Sequence, residues 1–241
     1  MKIFYLVLVL FFAWICYVAD PLVRAKQIDR KLVPESSPFS IQDASRTRYI
    51  LVLGDSTAVG VGARPEESIA ALLAESMHAN VENRAKSGAV TADLAGQIAA
   101  AERDSYDLVE IQIGANDILG MRELDATSAS LDAALTKLAL KSKRIVFLTA
   151  GDIGHTPLIR WPLSILMSHR SKYLRERFMQ IAAKHDAQYV DIYAAPDISA
   201  EDPDRYHAAD GLHLNGKGYA YWFTLIQKSL ERWPELSGNK K

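Results

Sequence analysis

The sequence predicts an α/β fold in which helices cover both faces of a parallel sheet, and two observations lead there. From Arg48 onward, short β-rich apolar runs alternate with segments whose apolar residues recur at helical spacing. The residues carrying reactive side chains cluster just after those runs, where an open parallel sheet gathers its ligands. Together they imply a doubly wound, three-layer α/β/α sandwich of about five strands.

Tyr49 to Leu53 is the first strand, and Pro65-Glu66-Glu67 opens a helix with Ile69, Leu72 and Leu73 inward. Val81 to Asn83 is a weaker strand, followed by a helix burying Leu94 and Ile98. Leu108 to Ile113 is the strong third strand, and Leu131, Leu135 and Leu138 mark the helix after it. Ile145 to Thr149 is the fourth strand. Leu174, Phe178 and Ile181 define the next helix, Tyr189 to Ile192 the fifth strand, and Tyr219 to Leu230 a closing helix.

Ahead of this body, Ile3 to Ala19 carries no charge, and as a helix it reaches about 25 Å, enough to approach a ~30 Å hydrocarbon core. Residues 1–19 therefore read as a signal-anchor or signal peptide, residues 20–47, with Pro21, Pro34 and Pro38, as a tether, and residues 48–241 as the folded body. The short N-terminal tail resembles a secretory start and places the body on the extracytoplasmic side; Arg24, Lys26, Arg30 and Lys31 argue for the cytoplasmic face, and that alternative stays open. Cys16 is the one cysteine, which excludes an intrachain disulfide and a Cys-rich zinc site. With 28 Lys plus Arg against 29 Asp plus Glu, there is no positive field for a nucleic acid partner.

Four blocks follow the strands: Gly54-Asp55-Ser56-Thr57, Asn83 to Gly88, Gly114-Ala115-Asn116-Asp117, and Asp210 to Asn215. Each alone reads as turn chemistry. Set at the same rim, they supply what acyl transfer to water needs. Ser56 is a candidate nucleophile that requires a base, and His213 is the candidate base, since an imidazole ordinarily titrates near pH ~6.5. Asp210, three residues earlier, can fix the imidazole tautomer. The N–H groups of Ser56 and Gly88 and the Asn116 amide can meet an oxyanion.

The blocks resemble those of the SGNH hydrolase superfamily, the GDSL esterases and lipases, over Tyr49 to about Leu230. The resemblance implies a flavodoxin-like α/β/α fold, with Ser56 as nucleophile, His213 as base with Asp210 beside it, and Gly88 and Asn116 as oxyanion donors. It implies no cofactor. The substrate class would be a small-molecule, lipid or carbohydrate ester, with a thioester or lysophospholipid within the same range. Thr57 stands where the name-giving leucine would be, and Ala85 replaces a frequent glycine; neither removes a reacting group.

The Gly-x-Ser-x-Gly of an α/β-hydrolase is absent, since Ala58 follows two after Ser56. Gly54, Gly60 and Gly62 match no nucleotide-binding fingerprint and read as a flexible loop. His207, Asp210 and His213 lack the further ligands a metal needs. The alternative is a membrane-tethered binding protein that kept the fold without activity. Ile153 to Met167, rich in Leu, Ile and Trp161, reads equally as an acyl-pocket or membrane-facing insertion and as a packed helix.

Overall fold

The structure, a computed structural model, describes residues 2–196 and 202–236. Five parallel strands, β1 (Arg48–Gly54), β2 (Ala79–Asn83), β3 (Leu108–Gln112), β4 (Ile145–Leu148) and β5 (Gln188–Val190), form one sheet. Its order is β2-β1-β3-β4-β5. In chain order the helices are α1 (Lys2–Glu35), α2 (Ser56–Val59), α3 (Ile69–Met77), α4 (Leu94–Ala99) and α5 (Ala115–Leu119). They continue with α6 (Leu124–Leu138), α7 (Leu163–Lys184), α8 (Pro203–Tyr206) and α9 (Gly216–Leu230).

Side chains alternate across a strand, so each strand feeds two cores. Leu51, Leu53, Val109, Ile111 and Phe147 face one core with α4, α6 and α7. Ile50, Val52, Leu108, Val146 and Leu148 face the other, closed by α3 and α9. The chain leaves β1 toward β2 on one side and returns to β3 on the other. The loops after β1 and β3 therefore diverge, opening a crevice at the carboxyl edge.

The expected elements are present with small shifts at their ends. Pro65–Glu67 forms a separate 3-10 turn, and Ser68 caps α3 by accepting from Ala71 N. The Ile153 to Met167 stretch divides between both readings. Ile153, Leu158, Ile159 and Met167 are buried, while Trp161, Ile165 and Leu166 are exposed.

The expected tether over residues 20–47 is corrected. α1 continues without a break to Glu35, and Ile41 then pairs with Val81 at the edge of β2. Asp43 N donates to Asn80 Oδ1, and Asn83 N donates to Ser40 Oγ. Packing overrides the proline signal. Ala25 is buried in the first core, and Leu32 and Val33 pack against the second, so α1 presents an apolar stripe to the body. Pro21 has no N–H to donate to Tyr17 O, and Arg160 Nη1 donates to that carbonyl instead at 2.9 Å. The Arg160 guanidinium also lies 4.4 Å from the centre of the Tyr17 ring, and Trp161 meets Trp14 edge-on at 6.3 Å. Residues 237–241 of the expected body lie outside the described residues.

Candidate active site

Ser56 is the first residue of α2, immediately after β1. Asp55 caps that helix, accepting from Thr57 N at 2.9 Å and Thr57 Oγ1 at 2.8 Å. Thr57, the departure from the family's leucine, thus adds a second bond to the cap. Ser56 N–H opens the helix, where the helical ladder offers no carbonyl.

His213 lies on a loop fixed by its own backbone. Asp210 Oδ1 accepts from Leu212 N at 2.9 Å and from His213 N at 3.0 Å. Asn215 caps α9, and its Nδ2 donates to the carbonyls of Arg205 and His207. Gly62 lets a neighbouring loop press against this one. Its φ is +95°, and a Cβ there would sit 2.4 Å from Leu214 O. The glycine serves a close approach rather than the flexible loop expected for it.

These loops bring three predicted residues into hydrogen-bonding order. His213 Nε2 lies 2.8 Å from Ser56 Oγ, and His213 Nδ1 bonds Asp210 Oδ2. With Nδ1–H donating to the carboxylate, Nε2 is left as the acceptor for the serine proton.

Gly88 and Asn116 line the same cleft as Ser56. Gly88 has φ +81°, and a Cβ there would meet nothing within 4 Å. Glycine is favoured here by the backbone conformation and not by any lack of space. The Gly88 N–H has no hydrogen-bond partner among the described residues. Asn116 donates one amide proton to Ala89 O at 2.9 Å, which ties it to the Gly88 loop and leaves the other proton for a ligand. Asp117, buried beside it, accepts from Thr91 N and Oγ1 at 2.9 Å each.

With this order of groups in view, the comparisons with known proteins are decisive about kinship. Residues 52–221 match the model of the GDSL-like Lipase/Acylhydrolase family. The chain belongs to that family. A GDSL-like esterase of Mycobacterium tuberculosis, Rv1075c, is 28% identical over 185 residues, 71% of this chain. The chain spans 58% of that relative's length. The acetylxylan esterase Axe2 of Geobacillus stearothermophilus superposes with a TM-score of 0.58 at 20% identity, covering 77% of this chain and 94% of its own. Phospholipase A1 of Streptomyces albidoflavus gives 0.61 at 20% identity, covering 76% and 100%. At such identities these two establish the fold alone.

The GDSL-like cleft encloses about 390 Å³. Its apolar wall includes Leu119, Ile153, Ile192, Leu212 and Trp222. Burial pushes the His213 pKa down, but the Asp210 hydrogen bond and charge, with Asp29 and Asp55, prevail and hold it above its ordinary 6.5. Asp210 is held below the ordinary carboxylate range: burial opposes this, and the bond to His213 and its charge outweigh it. Asp55, fully buried, is raised to about 6 by desolvation against the Thr57 bonds.

Two acidic residues near this site were not foreseen. Asp29 of α1 lines the cleft, with Oδ1 3.8 Å from His213 Nδ1. Its one sequence trace is the spacing of Ala25, Asp29 and Val33, four apart on one helical face. Glu110, in the middle of β3, is fully buried beneath the site and left no trace in an apolar strand pattern. His207 lines the cleft, but the group gathered within 4.8 Å is Asp29, Asp210 and His213, not the trio spaced along the sequence.

Proposed function

We propose that this chain is a membrane-anchored serine esterase that cleaves carboxylic esters through an acyl-enzyme, with Ser56 as nucleophile. The observation that carries the reading is the 2.8 Å contact of Ser56 Oγ with His213 Nε2, behind which Nδ1 is bonded to Asp210.

Ser56 Oγ attacks the ester carbonyl carbon as His213 Nε2 takes the hydroxyl proton. The carbonyl π pair moves to oxygen, where the N–H groups of Ser56 and Gly88 and the free Asn116 proton stabilise it. When the tetrahedral adduct collapses, the alcohol leaves with the proton from His213. Water then attacks the acyl-serine with His213 again as base, releasing the acid and restoring the serine. Every proton is carried by His213, and the scheme uses no cofactor. The cleft volume, about 390 Å³, suits a small or single-chain ester; lipid and carbohydrate esters both remain within the substrate class.

The anchor reading rests on α1, whose described part from Phe4 is long and apolar enough to cross a membrane. The body then stands on the extracytoplasmic face, where esters of envelope lipids or glycans lie.

The test is covalent. The full chain in detergent should react with a fluorophosphonate, and Ser56→Ala should abolish that reaction and lower kcat by roughly 10⁴-fold. A wild-type chain that neither labels nor hydrolyses any ester would identify a binding protein on this fold, and near-normal hydrolysis by Ser56→Ala would move the nucleophile elsewhere.

A further inference from the structure

α1 does more than hold apolar residues in a lipid-facing segment. Ten residues past the uncharged stretch, it passes the mouth of the cleft and places Asp29 beside the Asp210–His213 pair. Asp29 Oδ1 is shielded from solvent, accepts no hydrogen bond among the described residues, and lies 3.8 Å from His213 Nδ1. One oxygen of Asp29, one of Asp210 and a ring nitrogen of His213 lie within 4.8 Å of one another. An exposed acidic residue on a loose tether would turn to water. Here the buried Ala25, one turn earlier, and Val33, one turn later, fix the face on which Asp29 sits. The Arg160 bond to the carbonyl freed by Pro21 fixes the helix against the body.

We propose that Asp29 is a positioning residue of the reaction: the anchor helix delivers a second carboxylate to the rear of His213, so that the catalytic base is completed by the anchor itself.

This rests on the triad reading above. Two carboxylates sharing one imidazole cannot both ionise freely. Burial, then the close approach and charge of the Asp210 carboxylate, raise the Asp29 pKa to about 6. Below that value Asp29 carries a proton shared with Asp210. Above it, Asp29 is a second negative charge facing the ring, which stabilises the imidazolium formed when Ser56 is deprotonated. A negative charge there raises the His213 pKa, so the acid limb of kcat/KM, which follows loss of the imidazole proton, sits at higher pH than it would without Asp29.

The charged groups facing this pair are Asp210 and His213 from their shared loop and Asp55 from the first block. Asp152, His155, Tyr193, Tyr206, His207 and Tyr221 line the rest of the cleft. All are unchanged in a variant at position 29, so a difference profile isolates Asp29.

The experiment compares kcat/KM and the fluorophosphonate labelling rate from about pH 4.5 to 9, a span covering the imidazole titration, for the full chain in detergent and its Asp29→Asn variant. Asp20→Asn, on the same helix and paired with Arg24, is the control. Asp29→Asn should stay folded and labelled. Its acid limb should move down by at least about one pH unit in both readouts, the shift that removing a charge at about 4 Å gives even under the full screening of water. Its plateau kcat should fall about threefold, as a weaker base abstracts more slowly. Asp20→Asn should track the wild type. A limb and plateau for Asp29→Asn that coincide with the wild type overturn the proposal, as does activity lost on chelation and restored by a divalent metal. Asp29→Ala provides a second variant in case the amide makes its own bond to Asp210, and it should show the same downward limb. If Ser56→Ala still labels, the nucleophile assignment fails instead, which is a separate outcome.

Discussion

Replacing Glu110 by Gln should stabilise the protein increasingly as pH rises. Glu110 is fully buried in β3, opposite Val52 of β1. Gln112 Nε2 donates to its Oε2 at 3.2 Å, and its Oε1 has no partner among the described residues. Desolvation, opposed by the Gln112 bond and aided by the Asp55 charge, raises its pKa from 4.5 to about 8. The folded chain therefore keeps a proton that the unfolded chain releases, so folding binds a proton across that window. Stability from this group is fully present below pH 4.5 and is lost as pH rises toward 8. Each pH unit inside the window costs ~1.4 kcal/mol, so moving from about pH 5.5 to 7.5 costs ~2.5 kcal/mol that a glutamine does not lose. For a body of this size that is ~5–10 °C in Tm. Thermal melts of both full chains in the same detergent at the two pH values measure it. The Tm advantage of Glu110→Gln should grow by that amount with pH. An advantage independent of pH refutes the buried, protonated carboxyl.

Asn116→Ala should lower kcat by about 10²- to 10³-fold with little change in KM, read from steady-state kinetics on a soluble ester, as the proposed action of the amide on the charged oxygen requires. If Tm instead drops steeply, its bond to Ala89 is the amide's main task. Gly62→Ala should cost about 1–2 kcal/mol in backbone strain alone, and more from the clash with Leu214 O, seen as a lower urea midpoint. The same change should slow fluorophosphonate labelling, since that carbonyl adjoins His213.

The site was legible where topology made it so. Ser56, Gly88 and Asn116 each follow a strand, and His213 with Asp210 stands at the same rim, so a rule about parallel sheets was enough to gather them. Asp29 escaped because it comes from a helix with no link in sequence to any strand. Its contact depends on how α1 packs, which depends in turn on Arg160, 143 residues away, satisfying Tyr17 O. Pro21, which read as the start of a tether, misled for the same reason: proline breaks a helix by leaving a carbonyl unpaired, and here a distant guanidinium pairs that of Tyr17. Glu110 was hidden because periodicity reports burial and says nothing about a protonated carboxyl inside it.

The unbroken α1 also changes how the cleft meets its surroundings. A loose leash sets a radius, within which a catalytic head can swing and sample any orientation. A docked helix sets an altitude. The rise from Tyr17 to Asp29 along an upright helix is ~18 Å. If the apolar stretch lies in a bilayer, the serine works in a thin layer at that height and scans it in two dimensions as the anchor diffuses. Esters level with the lipid carbonyls pass beneath it, and those borne on chains or headgroups reaching that layer come within reach.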